Sequence, residues 1–134
     1  MMIKPDAVRR NLCGWILKTV EEAGLSIRQM RLIHLTPEAA KGFYHVHQGK
    51  PFLNDLVEYM SSGPIVVAVL EGEGAILGLR KIVGATDPAK AEPGTIRGEV
   101  GLNVQENSVH ASDSEASAVS EIAYYGLDEI WRKP

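Results

Sequence analysis

The sequence predicts an α/β sandwich in which a small sheet carries helices on one face. Apolar residues recur at helical spacing in several separate windows, each followed by a glycine or proline stop. Between these windows lie short β-branched runs, of which Ile65-Val66-Val67-Ala68-Val69-Leu70 lacks alternation and therefore reads as a buried central strand. After Val83 the pattern breaks for roughly 25 residues, too long and too irregular for a simple βαβ crossover.

In chain order, residues 1–3 read as a short first strand. Over 11–23, Leu12, Ile16, Val20 and Ala23 share one helical face, and Gly24 stops the helix. Residues 26–35 form a second strand, ended by Thr36-Pro37. Thr36 then serves as N-cap and Pro37 as first residue of a helix running to about His47. Gly49-Lys50-Pro51 interrupts it, and a further helix over 52–60 carries Phe52, Leu53, Leu56, Val57 and Met60 on one side. Ser61-Ser62-Gly63-Pro64 turns the chain into the central strand, and 75–83 is helical with Ile76, Leu79, Ile82 and Val83 inward. The irregular stretch 84–108 reads as a functional loop. A strand at Val109-His110 and a helix over 114–124 follow, with Ser112-Asp113-Ser114-Glu115 spaced as a capping box.

Length and composition bound the function. The 134 residues suit one domain spanning 1–134, and 45% apolar with 23% charged residues is an ordinary globular mix. Cys13 stands alone, which excludes an intrachain disulfide framework and fits a reducing compartment. A net charge of −3 supplies no cationic field for nucleic acid or anionic membrane. No apolar run is long enough to span a bilayer, and the first residues lack the basic start and apolar stretch of a signal peptide. A cytoplasmic protein with no membrane partner is expected.

Several motifs are excluded by their spacing. No G-x-x-x-x-G-K-[ST] loop occurs, and in Gly72-Glu73-Gly74-Ala75-Ile76-Leu77-Gly78 the third glycine comes one place late for a dinucleotide fingerprint. Cys13 has no partner cysteine, and His45 and His47 would point apart on a helix, so a protein-held zinc is not expected. The loop is more informative. Pro93-Gly94-Thr95-Ile96-Arg97-Gly98 sets an arginine between glycines, and His110 follows at a strand end, between Asn107 and the hydroxyl-rich Ala111-Ser112-Asp113-Ser114. A neutral imidazole is a competent nucleophile near pH 7. If it attacks phosphorus, cationic forks and hydroxyl donors must surround the transferred oxygens, and Arg97, Arg80, Lys4, Thr86 and Tyr44 are available.

On these residues the sequence resembles the nucleoside diphosphate kinases over essentially its whole length. The resemblance is carried by Met2-Ile3-Lys4-Pro5-Asp6-Ala7-Val8, by Phe43-Tyr44 through Lys50-Pro51-Phe52 and by Ser62-Gly63-Pro64. It continues in Gly84-Ala85-Thr86-Asp87-Pro88, in the Arg97 segment, and most specifically in Asn107-Ser108-Val109-His110-Ala111-Ser112-Asp113-Ser114. It implies a ferredoxin-like α/β sandwich with a four-stranded antiparallel sheet. It implies Mg²⁺-dependent ping-pong transfer of the γ-phosphate from ATP, or another nucleoside triphosphate, to a nucleoside diphosphate. His110 becomes phosphohistidine in that scheme, and Ser112 and Glu121 orient it. Lys4 and Asn107 hold the sugar side, and Tyr44 lies beside the phosphoryl group. Arg80 and Thr86 take the β-phosphate, and Arg97 lies nearer the γ-phosphate. Phe52 stacks on the base, with Leu56 and Val104 lining that slot. Magnesium is held mainly by the nucleotide's own phosphates, so no protein metal ligands are expected. A homo-oligomer, hexamer or tetramer, is implied; a nucleic-acid partner is not.

The chain departs from the family pattern at a few places. It begins later than family members usually do. Ala111 stands where glycine is usual after the histidine, which would strain the backbone if that position needed a positive φ. Leu53 replaces a common second phenylalanine, and Tyr124-Tyr125-Gly126 differs from the usual end of the last helix. The tail to Pro134 is hard to align with the family, whose tails often reach subunit contacts.

Overall fold

Strand β3 (Ile65–Glu71) organises the fold, because its first four residues are buried on both faces of the sheet. The computed structural model describes residues 1–127; the divergent tail lies outside the described residues. β3 pairs antiparallel with β2 (Ser26–Ile33) on one side and β1 (Met2–Ile3) on the other. β1 pairs antiparallel with β4 (Val109–His110), giving the order β2-β3-β1-β4. The sheet is the four-stranded antiparallel one expected, and the short first strand lies in its interior.

Helices pack on both faces, not on one. Ile3, Val66 and Val109 face a core with Ala7 of α1 (Pro5–Arg9), Ile16 and Val20 of α2 (Cys13–Glu22), and Leu79 and Val83 of α5 (Ala75–Val83). Met2, Ile65 and Val67 face a second core with Ala40 of α3 (Pro37–Phe43), and Leu53 and Met60 of α4 (Leu53–Met60). The reason lies in β3 itself. An unalternated apolar strand exposes apolar side chains to either side, and both must be covered.

Local chemistry explains the element ends. The Thr36 hydroxyl accepts from the Ala39 N–H at 3.1 Å, capping α3 as expected. That helix stops at Phe43, however, and a 3₁₀ turn, His45–His47, continues the chain. Helix α5 has the predicted bounds, set by Gly74 and Gly84, both at positive φ. Two features escape sequence periodicity. Helix α1 is a single turn, and the loop contains a 3₁₀ turn at Pro88–Lys90 and helix α6 (Ile96–Val100), whose N-cap Thr95 accepts from Gly98 N–H. Ser114, not Ser112, caps α7 (Glu115–Tyr124), accepting from the Ser117 N–H at 3.0 Å.

The loop is packed closely where it holds the site. A Cβ at Gly98 would run into the Glu92 carbonyl oxygen and lie 2.8 Å from the Thr95 hydroxyl. Gly98→Ala should therefore cost about 1–3 kcal/mol, as overpacking does elsewhere, read as a lowered urea midpoint at unchanged slope. A midpoint at the native value would show that the loop yields freely.

Candidate active site

The sheet aims His110 into a cleft. Its partner across β1 is Met2, so the two side chains leave the same face, the face covered by α3, α4 and the end of α7. Glu121, on α7, reaches back to the imidazole: Nε2 lies 2.6 Å from its Oε1. The Ser112 hydroxyl donates to the same oxygen at 3.0 Å. An ionised carboxylate can only accept, so Nε2 carries the proton and Nδ1 is left with its lone pair. Burial lowers the His110 pKa, and the Glu121 carboxylate only partly opposes that. Burial raises the Glu121 carboxyl, but hydrogen bonds from His110 and Ser112 bring it below the ordinary range. The pair at neutral pH is thus a neutral imidazole backed by a carboxylate. Phe43 closes the rear of the ring, edge-on at 5.8 Å between centroids.

Cations line the opposite side. The Lys4 ammonium is buried and donates to Asn107 Oδ1 at 2.8 Å. Burial and the neighbouring Arg97 lower its pKa to about 8, against the pull of Asp6. The Asn107 amide nitrogen donates in turn to the Thr86 and Val104 carbonyls at 2.9 and 3.0 Å. Arg97 is fixed by its two terminal nitrogens, which donate to the Gly84 and Val109 carbonyls at 3.1 and 2.8 Å, while its buried Nε–H has no partner. Arg80 donates to the Ala111 carbonyl at 3.2 Å. Burial, and then Arg80, lower the Arg97 pKa to about 10. Two guanidinium groups and an ammonium outnumber the cleft's two carboxylates, Glu121 and Asp113, and make a site for a multiply charged anion.

All the predicted site residues meet here. A cleft of about 910 Å³ is lined by Lys4, Tyr44, Phe52, Leu56, Arg80, Thr86, Arg97, Val104, Asn107, His110 and Glu121. Ser112 lies behind it, reaching the cleft through Glu121. Tyr44 is buried, and burial with the nearby Glu121 raises its phenol, so it stays a neutral donor. Phe52, expected on the apolar side of its helix, instead precedes α4 as its N-cap and is 47% exposed at the mouth of the cleft, with Val104 58% exposed. An aromatic face left open to water at a cleft mouth is a stacking surface. Ala111 does not adopt a positive φ, so replacing glycine there causes no strain. That conformation falls on Ser108 instead.

Some cleft residues were not singled out from sequence. His45 and His47 both line the cleft, because the 3₁₀ turn replaces the helix that would have separated their rings. His47 lies edge-on to Phe52 at 5.2 Å, and the Lys50 ammonium sits 5.7 Å from the Phe52 ring centre. Phe43, Gln105, Asp113 and Ser117 also contribute. Only the aromatic pair Phe43-Tyr44 carried a sequence signal for this. Among the described residues no cluster of three or more His, Cys, Asp or Glu could hold a metal ion, and no helix is long and apolar enough to cross a membrane.

Comparison with known proteins agrees with this geometry. The family model described as nucleoside diphosphate kinase matches residues 1–129. The nucleoside diphosphate kinase of Novosphingobium aromaticivorans is 55% identical over 92% of this chain and 89% of its own length; that of Geotalea uraniireducens is 52% identical over 92% and 90%. Among solved structures, a halophilic nucleoside diphosphate kinase from Halobacterium salinarum in complex with CDP superposes with TM-score 0.95 at 37% identity, covering 99% of this chain and 89% of that one. The Aquifex aeolicus nucleoside diphosphate kinase superposes with TM-score 0.90 at 44% identity, covering 94% and 93%. With the ferredoxin-like sheet, the backed imidazole and the anion-binding wall in place, the chain belongs to the nucleoside diphosphate kinase family.

Proposed function

We propose that His110 Nδ1 is the atom on which this kinase carries the phosphoryl group between nucleotides. The observation that carries the reading is the Glu121 carboxylate on Nε2, which leaves the other ring nitrogen unprotonated and open to the cleft. In the first half-reaction Nδ1 attacks the γ-phosphorus of a nucleoside triphosphate, the bond to the β-phosphate oxygen breaks, and the diphosphate leaves. The imidazolium charge that develops is stabilised by Glu121 through Nε2–H. In the second half a different nucleoside diphosphate attacks the phosphohistidine, and the steps run backwards. Both nucleotides use one site in turn, so the kinetics are ping-pong. Catalysis is positioning plus charge stabilisation.

We assign the residue roles that the family resemblance implies and the placement supports. Arg97 and Lys4 flank His110 and neutralise the transferred group, with the Tyr44 hydroxyl as a further donor. Arg80 and Thr86 take the β-phosphate. Asn107, fixed by Lys4 and by two carbonyls, presents a polar edge to the ribose. Phe52 stacks on the base between Leu56 and Val104, without edge hydrogen bonds that would select one base. The anion-binding wall is cationic and lacks a carboxylate cluster, which suits a Mg²⁺ ion arriving on the nucleotide's own phosphate oxygens and supplying charge neutralisation there. We also assign a homo-oligomer and a cytoplasmic location. The outer edge of β2, unpaired among the described residues and carrying exposed Met30 and Leu32, supports the first; the lone Cys13 supports the second.

Incubation with γ-labelled ATP and Mg²⁺ tests the reading. Acid-labile, base-stable label should appear on the protein and be discharged by GDP; folded protein that takes up no label ends the proposal. Sedimentation of the purified chain checks assembly, and a monomer at micromolar concentration would remove that part. The pH profile is a separate check. Transfer needs His110 neutral, and burial holds its pKa below the usual 6.5, so activity persists at 6.5 and falls only as the pH drops through that lowered pKa. It needs Lys4 charged, so kcat/KM for the free enzyme declines as pH rises through about 8. A profile with no decline through about 8 would contradict the Lys4 assignment, and activity that rises as the pH falls below 6.5 would contradict the His110 assignment.

A further inference from the structure

Asp6 is a buried carboxylate with no part in the chemistry above. It is 1% exposed, yet it collects four donors from three residues of the chain. The Tyr59 hydroxyl of α4 donates to Oδ1. Arg10 donates to Oδ2 at 3.0 Å, and the same Arg10 nitrogen reaches the Val100 carbonyl at the end of α6 at 2.8 Å. Ser108 contributes twice, its N–H to Oδ1 at 3.3 Å and its hydroxyl to Oδ2 at 3.2 Å.

Ser108 is the unusual partner. Its φ is +76°, and the Val109 N–H donates to the Asn107 carbonyl two residues back at 3.0 Å. A hydrogen bond of that span about a residue at φ near +75° is a γ-turn, a conformation that L residues adopt only when held. The turn sits between Asn107 and the strand that carries His110. Its carbonyl accepts from the Lys4 N–H at 2.9 Å, so Lys4 is tied to the same point.

We propose that Asp6 is a positioning residue for phosphoryl transfer: it clamps the Ser108 γ-turn, and through it sets where His110 stands relative to the phosphate-binding cations. The inference rests on the phosphohistidine reading. The ammonium and amide of Lys4 and Asn107 are cross-bonded, and Arg80 on α5, Thr86 after it and Phe52 before α4 belong to other segments of the chain, so nucleotide binding survives loss of the clamp. Alignment of the nucleophile does not, and a misplacement near 1 Å lowers transfer about 100-fold.

The experiment compares wild type, Asp6→Asn, and Asp6→Asn with Ser108→Gly. The measurements are single-turnover labelling of His110 by ATP, ADP affinity by calorimetry, and melting temperature. Asparagine cannot accept at both oxygens, so one of Arg10 and Ser108 faces a donor. Labelling should slow at least tenfold in Asp6→Asn while ADP affinity stays within threefold. Glycine adopts the positive φ unaided, so the double variant should regain most of the rate without regaining the melting temperature, because Arg10 still lacks its anion. Labelling within twofold of wild type in Asp6→Asn, or a loss that glycine does not reverse, overturns the proposal. If Asp6→Asn does not fold, Ser108→Ala and Tyr59→Phe decide. Each removes one bond to the Asp6 carboxylate, and Tyr59→Phe also removes the acceptor of the Asp6 N–H, but only Ser108→Ala should slow labelling, and equal effects overturn the clamp. A wild-type protein that takes no label would instead overturn the functional reading itself.

Discussion

His110→Ala will abolish phosphoryl transfer, with turnover down by at least about 10⁴-fold, while the protein stays folded. Covalent catalysis splits one difficult displacement into two, and among the described residues His110 is the one cleft imidazole backed by a carboxylate, since His45 bonds to the Gly42 carbonyl and His47 to Lys50. Lys4 is a hydrogen-bonded donor, and the Ser112 hydroxyl is turned toward Glu121 rather than toward the cations. The fold survives because β4 is held by backbone pairing to β1, and Glu121 keeps its bond from Ser112. A spectrophotometric kinase assay with circular dichroism checks both halves. Residual turnover above about one per cent of wild type would mean that the phosphoryl group travels by another route.

Arg97→Ala should cost about 10²–10³-fold in kcat/KM, the range for removing a donor aimed at developing charge in a dry site. The argument is the cost already built into the folded state. Arg97 is half-buried near Arg80 with its buried Nε–H unpartnered, an arrangement that is unfavourable until an anion arrives. Its two carbonyl contacts hold the guanidinium where the transferred group must sit. Arg97→Lys keeps the charge but cannot reach both carbonyls, so it should recover only part of the loss. Steady-state kinetics with varied ATP and diphosphate would show it. An effect below about fivefold in Arg97→Ala would place the transferred phosphate elsewhere.

The sequence was most legible where structure is local. Helix 75–83 was bounded correctly because its face repeats at helical spacing and glycines stand at both ends. Thr36 was read as a cap because Pro37 follows it. Reading failed where distant residues decide. Helix α1 is one turn long, and the bonds that hold Asp6 within it come from residues 53 and 102 positions away. Spacing favours Ser112, three residues before Glu115, as the cap, yet its hydroxyl is bonded to Glu121 and Ser114 caps the helix instead. The expectation of helices on one face failed although β3 itself signalled otherwise, because its unalternated apolar run presents apolar side chains to both faces and both are covered.

The site itself was legible through the resemblance more than through physics. Spacing around Arg97 and His110 suggested phosphorus chemistry, yet nothing in the residues alone required Glu121, on a later helix, to face His110. Phe52 shares an apolar helical face by periodicity, and only the resemblance set it at the base slot, where it stands exposed at the mouth of the cleft. Ala111 looked strained, and the strain sits three residues earlier, at Ser108.

The most direct test is to locate the phosphate on the ring. Phosphoenzyme made with ATP, denatured in base and hydrolysed, yields a phosphohistidine whose two isomers separate by chromatography and differ in ³¹P shift. With Nε2 engaged by Glu121, the phosphoryl group must be on Nδ1 of His110. Attachment at Nε2, or on any other residue, would contradict the account.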